Sequence, residues 1–163
     1  MKSAEWDKVD PELRTKIESV YASFPVKVAE LAKLLRLKVN SATLPPGISG
    51  EIRPTAGGFM IRVNRHDSVV RQRFTVAHEI AHFLLHKNHI GGGISDDALY
   101  RSSLSDVREA EANRLAADIL MPFEVVRREL KARDGLGEQQ KIVELAQFFG
   151  VSEVAMSIRL GFK

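Results

Sequence analysis

The residues best suited to chemistry lie in one short segment near the middle of the chain, which reads His78-Glu79-Ile80-Ala81-His82. Residues four apart lie on the same face of an α-helix, so His78 and His82 can offer two imidazoles to a single metal ion. Glu79 lies about 60° around such a helix from His82, from where it can reach a water on the metal without binding the metal. The segment therefore predicts a zinc hydrolase site in which the carboxylate takes a proton from water. Such a site needs a third protein ligand from elsewhere in the chain.

The third ligand is predicted to be an acidic side chain from a later helix. The three-histidine alternative, H-E-x-x-H-x-x-G-x-x-H, is excluded because Leu85 and Asn88 stand where that motif requires glycine and histidine. A helix predicted at 106–120 follows a long irregular stretch and has an N-capping serine before it. It offers three acidic side chains: Glu109, Glu111, Asp118.

Glu109 is the favoured ligand because of the residues that share its helical face. Asn113 lies four positions later, where its amide oxygen can accept a hydrogen bond from the far nitrogen of a ligating histidine. Small and apolar residues continue the same face, which suits close packing against another helix: Ala116, Ala117, Leu120. Glu111 lies about 200° away around the helix, so it is predicted to be a solvated charge.

Hydrolysis also needs a donor for the negative charge that develops in the transition state. Four residues that follow the H-E-x-x-H segment are candidates, and their spacing distinguishes none of them: His86, His89, Tyr100, Arg101. His86 and Tyr100 are carried forward as candidate contacts to the transition state or the substrate. The alternative role for His86 is a positive group near the end of its helix, and for Tyr100 it is packing in a loop.

The alternation of apolar and polar residues predicts an α+β fold. It comprises a small, mostly antiparallel sheet of about three strands, packed with a mainly helical body and a zincin-like active helix. The predicted elements are N-terminal helices at 10–35, the sheet at 37–64, the active helix at 68–86, the third-ligand helix at 106–120 and C-terminal helices at 123–160. The 163 residues are expected to form one domain, 1–163.

The composition excludes several classes of protein. The absence of cysteine excludes disulfides and thiolate metal sites, and the net charge of +3 arises without a run of like charges that would indicate nucleic-acid binding. The helical pair at 145–160 resembles a helix-turn-helix, but its second helix carries only Arg159 as a cation, which favours packing against the rest of the chain. A polar N-terminus and the absence of a membrane-spanning apolar run predict a cytoplasmic protein with no membrane partner.

Two segments resemble the ImmA/IrrE family of small metallopeptidases: RFTVAHEIAHFLLH at 73–86 and EAEANRLAADILMP at 109–122. Three others, at 25–39, 48–64 and 145–162, are similar to the family's hairpin and its usual ends. The resemblance implies that His78, His82 and Glu109 bind zinc and that Glu79 is the catalytic residue. It also implies a protein substrate, a helix-turn-helix repressor whose cleavage lifts repression in a mobile element or stress regulon. The C-terminal extension of some members is missing, so a sensory function housed there is expected to be absent.

The expected function is therefore zinc-dependent cleavage of such a repressor, without direct nucleic-acid binding. Three alternatives stay open: a metal-containing module that sequesters a regulator without cutting it, a DNA-binding protein, and a hydrolase of a non-peptide amide. Sequestration would not require a base such as Glu79. Imidazole and carboxylate ligands also accept Mn²⁺ and other divalent ions in place of Zn²⁺. The sequence makes no prediction of the oligomeric state.

Overall fold

The predicted strands form a small mixed sheet in the computed structural model, which describes residues 1–91, 94–95 and 103–162. The strands are β1 (Leu37–Ala42), β2 (Gly50–Thr55), β3 (Gly58–Asn64) and the two-residue β4 (Ile94–Ser95), and their spatial order is β1-β3-β2-β4. β2 and β3 form the predicted antiparallel hairpin, and β4 extends it antiparallel to β2. β3 occupies the interior of the sheet, where its Ile61 and Val63 side chains are buried.

Helices make up most of the rest of the described chain. They are α1 (Ala4–Lys8), α2 (Pro11–Ser19), α3 (Val28–Leu34), α4 (Val69–His86), α5 (Ser103–Leu120), α6 (Phe123–Lys131), α7 (Glu138–Phe149) and α8 (Glu153–Leu160). The predicted α+β class with a mainly helical body is confirmed. Within the described residues, no helix combines the length and apolar character needed to cross a membrane.

The structure departs from the predicted elements in strand pairing, in two additional short elements and in the start of one helix. β1 pairs in parallel with β3, because the hairpin folds back and inserts β3 between β1 and β2. Neither α1 nor β4 was predicted, since each is too short to show a periodic pattern. α5 begins at Ser103, three residues before the predicted start.

The helix α4 is the element that carries the H-E-x-x-H segment, and it lies in the interior of the fold. It packs against β2 and β3 on one side and along α5 on another. The Ser68 hydroxyl caps its first turn by accepting a hydrogen bond from the backbone N–H of Arg71 at 3.3 Å. Every residue from Thr75 to His82 is buried. Burial of so many polar side chains is costly unless each is paired, so their partners identify the site.

The helix α5 can lie close to α4 because its inward face is built from small and aliphatic residues. Ala112 and Ala116 are fully buried, as are Leu115 and Ile119 one turn apart on the same side. Short side chains let two helix backbones approach, which lets polar side chains from both helices meet across the interface. The two helices therefore set the distances within the site described below.

Arg73, on the first half of α4, ties this helix to two distant segments. Its guanidinium donates to the backbone carbonyl of Val26 at 2.8 Å, to that of Gly150 at 3.1 Å and to that of Phe149 at 3.5 Å. Burial lowers the pKa of Arg73. Gly150 ends α7 in the left-handed region, with φ of +63°. The partly buried cation thus stabilises the carbonyl end of α7 against α4.

Arg159 is the one cation of α8, which is the second helix of the pair that resembles a helix-turn-helix. Its guanidinium contacts other residues of this chain. Arg159 on α8 donates to the backbone carbonyl of Met121 at 2.7 Å and pairs with the buried Asp118 carboxylate at 2.9 Å. Asp118 also accepts from the backbone N–H and the hydroxyl of Ser3, at 2.8 and 2.6 Å. These contacts hold the N-terminus, the end of α5 and α8 together.

The N-terminal helix α1 is attached to α5 by ion pairs. The buried Glu5 carboxylate accepts two hydrogen bonds from the Arg114 guanidinium, at 2.7 and 3.1 Å. This arrangement lowers the pKa of Glu5 to about 2 from 4.5. Because the pKa is lower in the folded state, the pair stabilises the fold above pH 4.5 and the stabilisation is lost as the pH falls towards 2.

Glu5→Gln should lower the free energy of unfolding by about 1–2 kcal/mol at pH 7, because a charged hydrogen-bond pair with a half-exposed arginine is removed. Urea unfolding at a series of pH values measures the difference from wild type, which should vanish between pH 4.5 and about 2. Glu30→Gln, at an exposed position with only a 3.9 Å contact to Lys27, is the control and should change little. A difference that persists unchanged at pH 2 would contradict the assignment.

Candidate metal centre

Three side chains from α4 and α5 converge at the centre of their interface. The Nε2 atom of His78 lies 2.9 Å from Glu109 Oε2, and the Nε2 atom of His82 lies 2.8 Å from Glu109 Oε1. The two Nε2 atoms lie 3.1 Å from each other. All three side chains are buried, with at most 6% of any of these residues exposed. The structure therefore brings together the three residues that the sequence predicted as ligands.

The geometry of these donors fits a small divalent ion. One ligand atom from each residue lies within 4.8 Å of the other two. A tetrahedral zinc ion with bonds of about 2.0–2.1 Å would separate its donors by about 3.3 Å, so the observed spacings need to open by only about half an ångström. Two imidazole nitrogens and a carboxylate suit Zn²⁺ and are also acceptable to Mn²⁺. These three side chains could hold a metal ion, and their donor chemistry leaves its identity open.

The outer nitrogens of both histidines have partners that turn the inner nitrogens towards Glu109. His78 Nδ1 lies 2.8 Å from the amide oxygen of Asn113, which can only accept, so the ring donates from Nδ1. His82 Nδ1 lies 2.9 Å from Nδ1 of His86. A partner of this kind fixes the orientation and tautomer of a metal-binding histidine. Asn113 has the contact that its spacing from Glu109 predicted.

The charges in this cluster favour a metal-binding state. Burial alone would raise the pKa of Glu109, but hydrogen bonds with His78 and His82 outweigh it and lower that pKa well below its usual range. Burial lowers the pKa of His82, although its hydrogen bond to Glu109 acts in the opposite direction. The result is an ionised carboxylate beside a histidine that tends to stay neutral, which are the forms that bind a metal ion.

Glu79 is fully buried on α4, on the side that faces β2. The strand comes close to it because position 50 is glycine. A Cβ atom added to Gly50 would lie 3.6 Å from Glu79 Oε1 and would collide with the methyl group of Thr75. The absence of a side chain on Gly50 therefore lets the strand lie against the part of α4 that carries the predicted base.

Comparison with known proteins gives the family. The model of the Peptidase_M78 family, the IrrE N-terminal-like domain, matches residues 32–161, which is most of the chain. The chain belongs to this family. All the residues of the candidate centre lie inside the matched segment of the IrrE N-terminal-like domain, whereas α1 and α2 lie before it. A search of curated proteins found no match.

A solved structure shares the fold of this IrrE N-terminal-like domain. It is described as a transcriptional regulator of Mycobacterium tuberculosis, and it superposes with a TM-score of 0.59 at 18% sequence identity. The match covers 97% of this chain and 49% of that protein, so the chain spans about half the length of the structure that it resembles. At this identity the comparison supports the fold alone.

His86 on α4 and Glu111 on α5 contact each other. Both ring nitrogens of the buried His86 are engaged, Nδ1 with His82 and Nε2 with Glu111 Oε2 at 2.7 Å, so it lies behind a predicted ligand and its contacts are with protein side chains. The prediction that Glu111 is only a solvated charge is wrong, because it binds His86 and also Lys8 at 3.2 Å. The hydrogen bond with His86 lowers the pKa of Glu111. The angle of about 200° between Glu109 and Glu111 around the helix did not indicate this contact. The contact forms because the long Glu111 side chain reaches around its helix to His86.

The remaining candidates of the sequence lie elsewhere. Tyr100 and Arg101 lie outside the described residues. His89 is exposed at the end of the 3₁₀ turn that follows α4. A cleft of about 660 Å³ opens beside the centre, with His78, Glu109 and Asn113 on its wall. Apolar side chains from α4, α5 and α8 also line the cleft, as do three arginines: Phe74, Ala117, Ala155, Ile158, Arg71, Arg114, Arg159.

The close approach at position 50 gives a prediction for this family member. Gly50→Ala should lower the free energy of unfolding by about 1–3 kcal/mol, because the new methyl group must push β2 away from Thr75 and α4. Urea denaturation measures the change. Gly57→Ala is the matched control, since a Cβ atom there meets nothing within 4 Å, and it should stay within about 0.5 kcal/mol of wild type. Equal effects of the two substitutions would contradict a tight strand-helix contact.

Proposed function

We propose that this chain is a zinc-dependent endopeptidase that cleaves a helix-turn-helix transcriptional repressor and so relieves repression. The observation that carries the proposal is the buried cluster of His78, His82 and Glu109, with Glu79 next to His78 on the same helix. Membership of a peptidase family supports the choice of peptide hydrolysis over other chemistry. The fold neighbour is called a transcriptional regulator, which is consistent with a role in gene regulation.

In the proposed mechanism, each residue has a separate task. His78, His82 and Glu109 would hold the metal ion, and Asn113 keeps the His78 ring in place through its amide oxygen. A divalent ion held there would lower the pKa of a water molecule and polarise a peptide carbonyl. Glu79 takes the proton from the attacking water and passes it to the nitrogen of the leaving peptide. Burial of Glu79 excludes bulk water, so the transferred proton is not lost to solvent.

The cleft beside the centre supports a peptide substrate. It has room for side chains next to the scissile bond, and its wall combines apolar residues such as Phe74 and Ile158 with Arg71. Arg71 is exposed and its Nε donates to the hydroxyl of Ser49 at 3.2 Å. A cleft of this character suits an extended peptide segment better than a small polar amide.

The test is to incubate the purified protein and Zn²⁺ with purified helix-turn-helix repressors, including any encoded beside it, and to identify fragments by mass spectrometry. A single defined cut that disappears with a chelator supports the proposal. A stable complex without fragments would instead support the alternative, a metal-containing module that sequesters a regulator. Absence of both binding and cleavage across the repressors would overturn the regulatory role.

A further inference from the structure

A row of three hydrogen-bonded side chains leads away from the metal centre through the outer nitrogen of His82. His82 Nδ1 lies 2.9 Å from His86 Nδ1, and His86 Nε2 lies 2.7 Å from Glu111 Oε2. His82 and His86 are four residues apart on α4, and Glu111 reaches them from α5. His86 is buried, with 5% of its surface exposed. A buried imidazole with both nitrogens engaged is held in one orientation.

The row has only one arrangement of protons that leaves His82 able to bind a metal ion. A ligating Nε2 atom must present a lone pair, so the proton of the neutral ring stays on Nδ1. His82 then donates from Nδ1 to Nδ1 of His86, which must accept, and His86 carries its own proton on Nε2. That proton is donated to the Glu111 carboxylate, which accepts. Each link therefore requires the next, so the carboxylate at the end of the row favours the tautomer that His82 needs in order to bind a metal ion.

Glu111 also forms an ion pair with a residue that lies outside the segment matched by the family model. Lys8 on α1 donates to Glu111 Oε1 at 3.2 Å, so the two carboxylate oxygens have different partners. Lys8 is half-exposed, and an ion pair of this kind contributes little by itself. His86 and Glu111 are buried or part-buried, so we expect them to affect metal binding more than Lys8 does.

We propose that His86 and Glu111 are positioning residues that fix the tautomer and ring orientation of His82, as Asn113 does for His78. The proposal rests on the proposed metal site, but it concerns only metal binding and the state of the His82 ring. Outer partners of metal-binding histidines typically change metal affinity by about 10–100-fold. Each of the two proposed histidine ligands thus has a hydrogen-bond partner at its outer nitrogen: Asn113 for His78, and His86 with Glu111 for His82.

The experiment compares Glu111→Ala, Glu111→Gln and Glu129→Ala. Cobalt(II) is the probe, and its affinity is measured by competition with a chromophoric chelator at one pH. Glu111→Ala should weaken cobalt binding by about 10–100-fold, whereas Glu111→Gln should recover most of it because the amide oxygen still accepts from His86. Glu129 is as buried as Glu111 and pairs with Arg128 and Arg133 far from the centre, so Glu129→Ala should bind cobalt as wild type does.

A second readout needs no substrate. Two-dimensional NMR of the zinc-loaded protein labelled with ¹⁵N at histidine should show His86 as the Nε2–H tautomer in wild type and in Glu111→Gln, and a mixture of tautomers in Glu111→Ala. Cobalt affinity unchanged in Glu111→Ala, or a Gln variant as weak as the Ala variant, would overturn the proposal. Failure of wild type to bind cobalt would overturn the proposed function, whereas equal cobalt affinities of wild type and Glu111→Ala would overturn only the positioning role.

Discussion

Glu79→Gln should keep the metal content of the protein and lower peptide hydrolysis by about 10²–10⁴-fold, the contribution expected of a general base. Glutamine has the same shape as glutamate but cannot take a proton from water. Metal content should be unchanged because the cluster that can hold the ion consists of His78, His82 and Glu109. Elemental analysis of the purified variant and single-turnover cleavage of the repressor substrate measure the two quantities.

The control for this experiment is Glu153→Gln, at the exposed first turn of α8, which should retain full activity and metal. Thermal unfolding of both variants reports whether the buried amide disturbs the fold, since Glu79 is fully buried. If Glu79→Gln cleaved the substrate as fast as wild type, the proposed base would be wrong. Loss of metal together with activity would instead place Glu79 among the ligands.

Glu109→Gln should reduce metal affinity by more than about 100-fold, beyond the range that outer partners of a ligand produce. Glu109 faces both histidines, one through each carboxylate oxygen, and its ionised form supplies the only negative charge within the three-residue cluster. An uncharged amide cannot balance a divalent ion in a buried site. Equilibrium dialysis with zinc or cobalt measures the loss.

Glu111→Gln is the matched control, since it changes the same residue type two positions away on α5. It keeps an oxygen that can accept from His86, so its metal content should stay close to that of wild type. Equal metal contents in the Glu109 and Glu111 variants would require a third ligand other than Glu109. The comparison is informative because both positions lie on the same helix and differ in which histidines they contact.

The sequence predicted much of the candidate centre because its residues are related by helical geometry. His78 and His82 share a face by their spacing alone, and the four-residue spacing from Glu109 to Asn113 placed the amide beside the cluster. Only one long-range step was needed, the packing of α5 against α4, and small residues on α5 indicated it. Local periodicity therefore predicted the three residues that could hold a metal ion.

The sequence could not predict features that depend on how distant segments meet. The parallel pairing of β1 with β3 follows from the insertion of a hairpin strand, which no local pattern records. The contact of His86 with Glu111 depends on the position of one helix along the other and on a flexible side chain. The helix α1 has five residues and acquires its place through Glu5 and Lys8, whose partners lie more than a hundred positions away.

The junction at Arg73 has a consequence for how this protein can diverge. A Cβ atom at Gly150 would lie 2.8 Å from Arg73 Nε and 2.9 Å from Pro25 Cβ, so a side chain there cannot coexist with both neighbours in their present places. We therefore expect glycine at 150, arginine at 73 and proline at 25 to occur together in related sequences. Relatives that carry a larger residue at 150 should have replaced the arginine or the proline, and the three positions should vary together across the family.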